Sequence, residues 1–161
     1  MSELNDHKSR AHALLSASSA HRWLACPPSA LAAEAYPAQD TTFTREGTLA
    51  HEVAEWVASG QSKKGPPLNK GVDDGVTQEM LECAGGYRDY IQEQITSEDA
   101  IVLLEQRVDF SPWVPNGFGT CDCIIIQDDV LTIIDYKYGQ GVAVSAEGNP
   151  QMKLYALGAL N

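Results

Sequence analysis

The 161-residue chain is poor in positive charge, with 11 Lys and Arg against 22 Asp and Glu and a formal net charge of -11. That deficit excludes a generally basic, sequence-independent nucleic-acid binder, while leaving room for a local groove or a site whose carboxylates take up a cation first. None of the four cysteines (Cys26, Cys83, Cys121, Cys123) forms a C-x-x-C pair, so the spacing of a zinc site is missing. No apolar run approaches the ~18 to 20 residues of a membrane span. The first residues, "MSELNDHKSRAHALLSASSAH", lack the continuous apolar centre of a secretory signal. The expectation is a cytoplasmic protein with reduced thiols. What is present, 43% hydrophobic residues, suffices for one domain over 1–161 with a real core.

Residues 1–15 read as a mobile polar arm. A short helix is expected from Ser16 or Ser18, both plausible N-caps, to the Cys26-Pro27-Pro28 stop, and a second from Ser29 to Tyr36. In "TREGTLAHEVAEWVASG", Leu49, Val53, Trp56 and Val57 recur at helical spacing. Residues 61–75 are rich in Gly, Pro and Lys and read as an exposed loop. A long amphipathic helix follows over Val76 to Thr96, with Met80, Ala84, Tyr87, Ile91 and Ile95 on one side, despite Gly85-Gly86. The period then changes. Strands are expected over Ile101–Phe110, Gly119–Gln127 and Val130–Tyr138, and a closing helix with Asn149 as cap and Pro150 in its first turn.

The hairpin register raises a chemical question. If Asp128-Asp129 form a two-residue turn, Gln127 faces Val130 and Asp122 falls opposite Asp135. Facing like charges destabilise a sheet, so the pair points to a shared cation or a shared proton. Lys137 lies on the same strand face as Asp135. Two carboxylates beside an ammonium suit a hard divalent ion such as Mg²⁺ or Mn²⁺. The alternative places both Asp residues at exposed strand ends, with Lys137 neutralising Asp135. The apolar neighbours of both residues weigh against that alternative.

"GTCD" followed by "IIDYK" resembles the motif core of the PD-(D/E)xK nuclease superfamily, in its RecB-type branch of phage, prophage and CRISPR-associated exonuclease-like proteins. "GTLAH" (Gly47 to His51) is similar to the branch's G-x-x-x-H helix motif, "QMKLY" (Gln151 to Tyr155) to its Q-x-x-x-Y motif, and "SASSAHRWLACP" to its N-terminal segment. The resemblance implies an α/β (α+β) protein with a restriction-endonuclease-like core: a central mixed or antiparallel sheet of at least three strands flanked by helices. It implies a divalent-metal-dependent DNA nuclease, expected to act as an exonuclease on single- or double-stranded ends in phage or host recombination and repair. The rival expectation is an idle nuclease-fold module that binds DNA or a partner protein.

Carried over residue by residue, the resemblance makes Asp122 and Asp135 metal ligands, joined by the backbone carbonyl of Tyr136 and by His51. Lys137 would orient the attacking water and stabilise phosphate charge. Gln151 and Tyr155, neighbours on one helical face, would hold Lys137, water or a DNA phosphate. Glu105 is either a further acid near the metal or a half-exposed strand carboxylate paired with Arg107 or Lys137. "HEVAE" lacks the second His of a zinc-protease H-E-x-x-H. Cys26 matches the first cysteine of an iron–sulfur site, but no cysteine follows Cys123 to complete one. Cys121 and Cys123 are expected in the core and Cys83 in helix packing. Lys63, Lys64 and Lys70 would touch phosphate or stay solvated, and Trp113 would stack on a base or pack in its turn. The family core usually continues past the Q-x-x-x-Y helix, so the expectation is either a minimal version that borrows material from another subunit or a C-terminally truncated fragment, with a second copy or a recombination protein as the partner.

Overall fold

A computed structural model describes residues 13–36, 39, 41–60, 75–139 and 143–161. The elements are α1 (Ala20–Ala25), α2 (Pro28–Ala35), α3 (Thr42–Ala58), α4 (Gln78–Gln94), β1 (Ile101–Asp109), β2 (Phe118–Gln127), β3 (Val130–Ile134) and α5 (Pro150–Ala159), with a 3₁₀ turn at Ala17–Ser19 before α1. The protein is therefore α+β, with one three-stranded sheet in the order β1-β2-β3 among the described residues. The expected basic loop at Lys63, Lys64 and Lys70 lies outside the described residues, as does the N-terminal arm up to residue 12. Ala13, at the end of that arm, is buried.

Local chemistry explains most boundaries. Thr41, Thr77 and Asn149 each accept a backbone N–H in the first turn of α3, α4 and α5, and Pro150 sits where no intrahelical donor is needed. The expected serine cap is different: Ser16 makes no cap bond, and its hydroxyl meets those of Ser19 at 2.8 Å and Ser18 at 3.3 Å. The serines satisfy one another, so α1 starts later, after the 3₁₀ turn.

The β2–β3 hairpin is antiparallel, with Gln127 paired to Val130 and Cys123 to Ile134. Asp128 and Asp129 both take positive φ (48° and 61°), the backbone of a two-residue turn that matches strand twist. The register is the expected one, but β3 ends at Ile134 rather than Tyr138. Asp122 Oδ2 accepts the Tyr136 backbone N–H at 2.6 Å, so a side chain takes over where the ladder stops. Asp122 and Asp135 therefore lie just past the last backbone pair.

The chain divides into two compact units. One comprises residues 39–105 and 122–143. Its core joins Leu49, Val53 and Val57 of α3 to Met80, Ala84, Tyr87 and Ile91 of α4, with Cys123, Ile125 and Ile134 from the hairpin. These helical positions follow the 3.6-residue period read from the sequence. Gln127 ties α4 to the hairpin: its amide donates to the Gln94 carbonyl at 2.6 Å and accepts from the Thr96 N–H at 2.9 Å. A carbonyl at the helix end is thereby satisfied. Cys83, expected to pack, is exposed.

The other unit comprises residues 1–38, 106–121 and 144–161. Here Trp23 donates its indole N–H to the Ser16 carbonyl at 2.9 Å. Gly119 allows the Tyr155 ring to lie against β2: a Cβ there would stand 2.9 Å from a Tyr155 ring carbon. Cys121 is fully buried, as expected.

Candidate metal centre

Three elements of one unit bring side chains of complementary chemistry together. His51 comes from the middle of α3, Glu105 from β1 and Asp122 from β2. One ligand atom from each lies within 4.8 Å of the other two, and all three residues are partly buried. Two carboxylate oxygens and an imidazole nitrogen at that spacing form a donor set that could hold a divalent cation.

Asp122 organises the cluster. Its Oδ2 is held by the Tyr136 N–H, and its Oδ1 lies 3.5 Å from His51 Nδ1. The hydrogen bond with Asp122 raises the His51 pKa, opposed by burial. Glu105 is pushed up to about 7, first by burial and then by the charge of Asp122. Its backbone stands at φ 46°, a left-handed conformation rare inside a strand. Such strain costs on the order of 1–3 kcal/mol and often accompanies a side chain aimed at a site. Glu105 thus lies beside His51 and Asp122. Arg107 instead lies over the Phe118 ring, at 3.7 Å from its centroid.

Asp135 and Lys137 form a pair, Oδ2 to Nζ, at 2.6 Å. The Asp135 side chain is only 10% exposed, whereas that of Lys137 is 54% exposed. Burial raises the Asp135 pKa, and Lys137 works against that rise. Asp135 also feels the charges of Asp122 and His51. Among the described residues, the convergent group of potential ligands is His51, Glu105 and Asp122, and Asp135 stands outside it with its ammonium partner. Cys123 is buried, and burial pushes its thiol up to about 11, which makes it inert.

Gln151 and Tyr155 belong to the other unit, on α5, where the Gln151 amide donates to the Tyr155 hydroxyl at 3.3 Å. Trp113 is half exposed in the turn after β1. Cys26 is exposed.

The sequence reading missed one feature, a row of rings behind His51. The imidazole meets Tyr136 edge to face, with centroids 5.3 Å apart at 76°, and Tyr136 meets Tyr87 at 4.9 Å. Helical spacing places Tyr87 on the buried side of α4 but carries no signal of which ring it touches.

A family model described as a protein of unknown function, DUF2800, matches residues 12–161. The chain belongs to the DUF2800 family. No solved structure matches it.

Proposed function

We propose that this DUF2800 chain is a divalent-metal-dependent DNA nuclease with a restriction-endonuclease-like core. The observation that carries the proposal is the convergence of His51, Glu105 and Asp122 on one point, beside the Asp135–Lys137 pair. The order of these residues along the chain supports the resemblance to RecB-type nucleases.

A bound divalent cation would supply Lewis-acid polarisation of a phosphodiester and a more acidic water. His51, Glu105 and Asp122 would hold it, and the Tyr136 N–H would keep Asp122 turned toward His51. Lys137, more than half exposed and anchored by Asp135, presents a positive charge to an incoming phosphate. Asp135 holds that ammonium in place. Exonuclease action on DNA ends, in recombination or repair, is the form the resemblance favours.

One observation favours a second reading. Asp135, the second carboxylate expected on the metal, is engaged by Lys137. A module that holds an ion and binds DNA or a partner protein without cutting accommodates that arrangement.

The test is cleavage of end-labelled single- and double-stranded DNA with Mg²⁺, Mn²⁺ or EDTA, beside Asp122→Ala and Lys137→Ala. Cutting that needs the metal and falls to the EDTA level in Asp122→Ala supports the nuclease. Lys137→Ala should keep Mn²⁺ and lose turnover. Mn²⁺ binding by the wild type without any cutting would leave the second reading.

A further inference from the structure

We infer that the side chain of Tyr136 is a positioning residue for His51, a role separate from any part its backbone takes; the inference rests on the metal-centre reading above. His51 needs such a stop. Its side chain is 35% exposed, and its 3.5 Å approach to Asp122 is at the long limit of hydrogen bonding, so the carboxylate alone does not fix the imidazole. The Tyr136 ring meets that imidazole at 5.3 Å and 76°, a favoured edge-to-face arrangement.

Tyr136 is itself immobilised. It is 8% exposed and backed by the Tyr87 ring at 4.9 Å and 47°, so a helix on the far side supports the contact. The same residue holds the other half of the pair, because its N–H donates to Asp122 Oδ2 at 2.6 Å. One residue thus sets Asp122 with its backbone and His51 with its ring. The Tyr136 hydroxyl is buried without a hydrogen-bond partner among the described residues. The site therefore uses the ring rather than the hydroxyl, and phenylalanine should serve equally well.

The experiment compares Tyr136→Phe and Tyr136→Leu, each alone and combined with His51→Ala, by Mn²⁺ calorimetry. The Phe variant should bind as the wild type does. The Leu variant should bind about 10- to 100-fold more weakly, the usual loss when a residue that orients a ligand is removed. Combined with His51→Ala, Tyr136→Leu should add no further loss. Unchanged affinity in Tyr136→Leu, or an equal loss with and without His51, would overturn the inference.

A second readout needs no metal. In the wild type and the Phe variant, the His51 ring protons should show an aromatic ring-current shift and the nitrogens a single tautomer by NMR, and Tyr136→Leu should abolish both. His51 signals that ignore Tyr136→Leu would sink the positioning role even if Mn²⁺ binds. Absence of Mn²⁺ binding by the wild type, with His51 signals that follow Tyr136, would sink the metal reading and leave the positioning role standing. If Tyr136→Leu does not fold, Tyr87→Leu removes the backing ring and carries the same expectations.

Discussion

Glu105 shows how much chemistry one residue concentrates. Its backbone is held in a left-handed conformation, and its carboxyl is pushed up to about 7 by burial and by Asp122. In the metal-free protein the fold favours the protonated acid. A folded pKa above the unfolded value of 4.5 gives a contribution to stability that is fully present below about pH 4.5 and lost as pH rises through about 7. Glu105→Gln keeps the neutral shape at every pH. Relative to the wild type, its metal-free melting temperature should therefore rise between pH 5 and pH 8. Cation binding has the opposite demand, because a ligand carboxylate must be ionised. At pH 6 the wild type should release about one more proton on taking Mn²⁺ than Glu105→Gln does, measured by calorimetry in buffers of different ionisation enthalpy. Equal proton release by the two proteins would remove Glu105 from the ligand set.

At the scale of elements, α3 carries an unexplained glycine on its functional face. Gly47 lies one turn before His51, and a Cβ there would meet nothing within 4 Å among the described residues. Glycine inside a helix costs about 1 kcal/mol relative to alanine, so packing gives no reason to keep it. On the proposed nuclease reading, close approach of a substrate backbone would supply one. Gly47→Ala should melt about 2–4 °C higher and cut DNA more slowly; unimpaired cutting would show that substrate does not approach this turn. The elements themselves were largely legible. Leu49, Val53 and Val57, and Met80, Ala84, Tyr87 and Ile91, announced both helices and their buried faces, Asn149-Pro150 announced α5, and two Asp residues announced the hairpin register. The end of β3 was not legible, since a bond between residues 14 apart, Tyr136 to Asp122, sets it. Local patterns likewise do not encode the φ of Glu105 or the ring contacts of His51, which arise only when α3, α4 and the strands meet. Of the residues expected at the metal, the structure brings His51, Glu105 and Asp122 together and sets Asp135 against Lys137.

For the whole molecule, a net charge of -11 opposes any polyanion. Three of the described cations are already engaged: Arg88 pairs with Asp89 at 2.6 Å, Lys137 pairs with Asp135, and Arg107 covers Phe118. On the proposed reading, DNA approaches where carboxylate charge has been cancelled, and the cluster to cancel among the described residues is His51, Glu105 and Asp122 with Asp135 near them. Divalent cation is therefore expected to be a condition of DNA binding as well as of cutting. With Lys137→Ala, which should hold metal without turning over, end-labelled DNA should bind in Mn²⁺ and lose binding in EDTA at the same ionic strength. Counterion release adds a second constraint. Each neutralised phosphate steepens the fall of log K with log salt by about 0.9 on duplex DNA, so DNA held mainly at the cation-filled cluster should show a slope no steeper than about -3. A steep slope that persists in EDTA would mean that a basic surface, rather than the cation-filled cluster, is what holds the DNA.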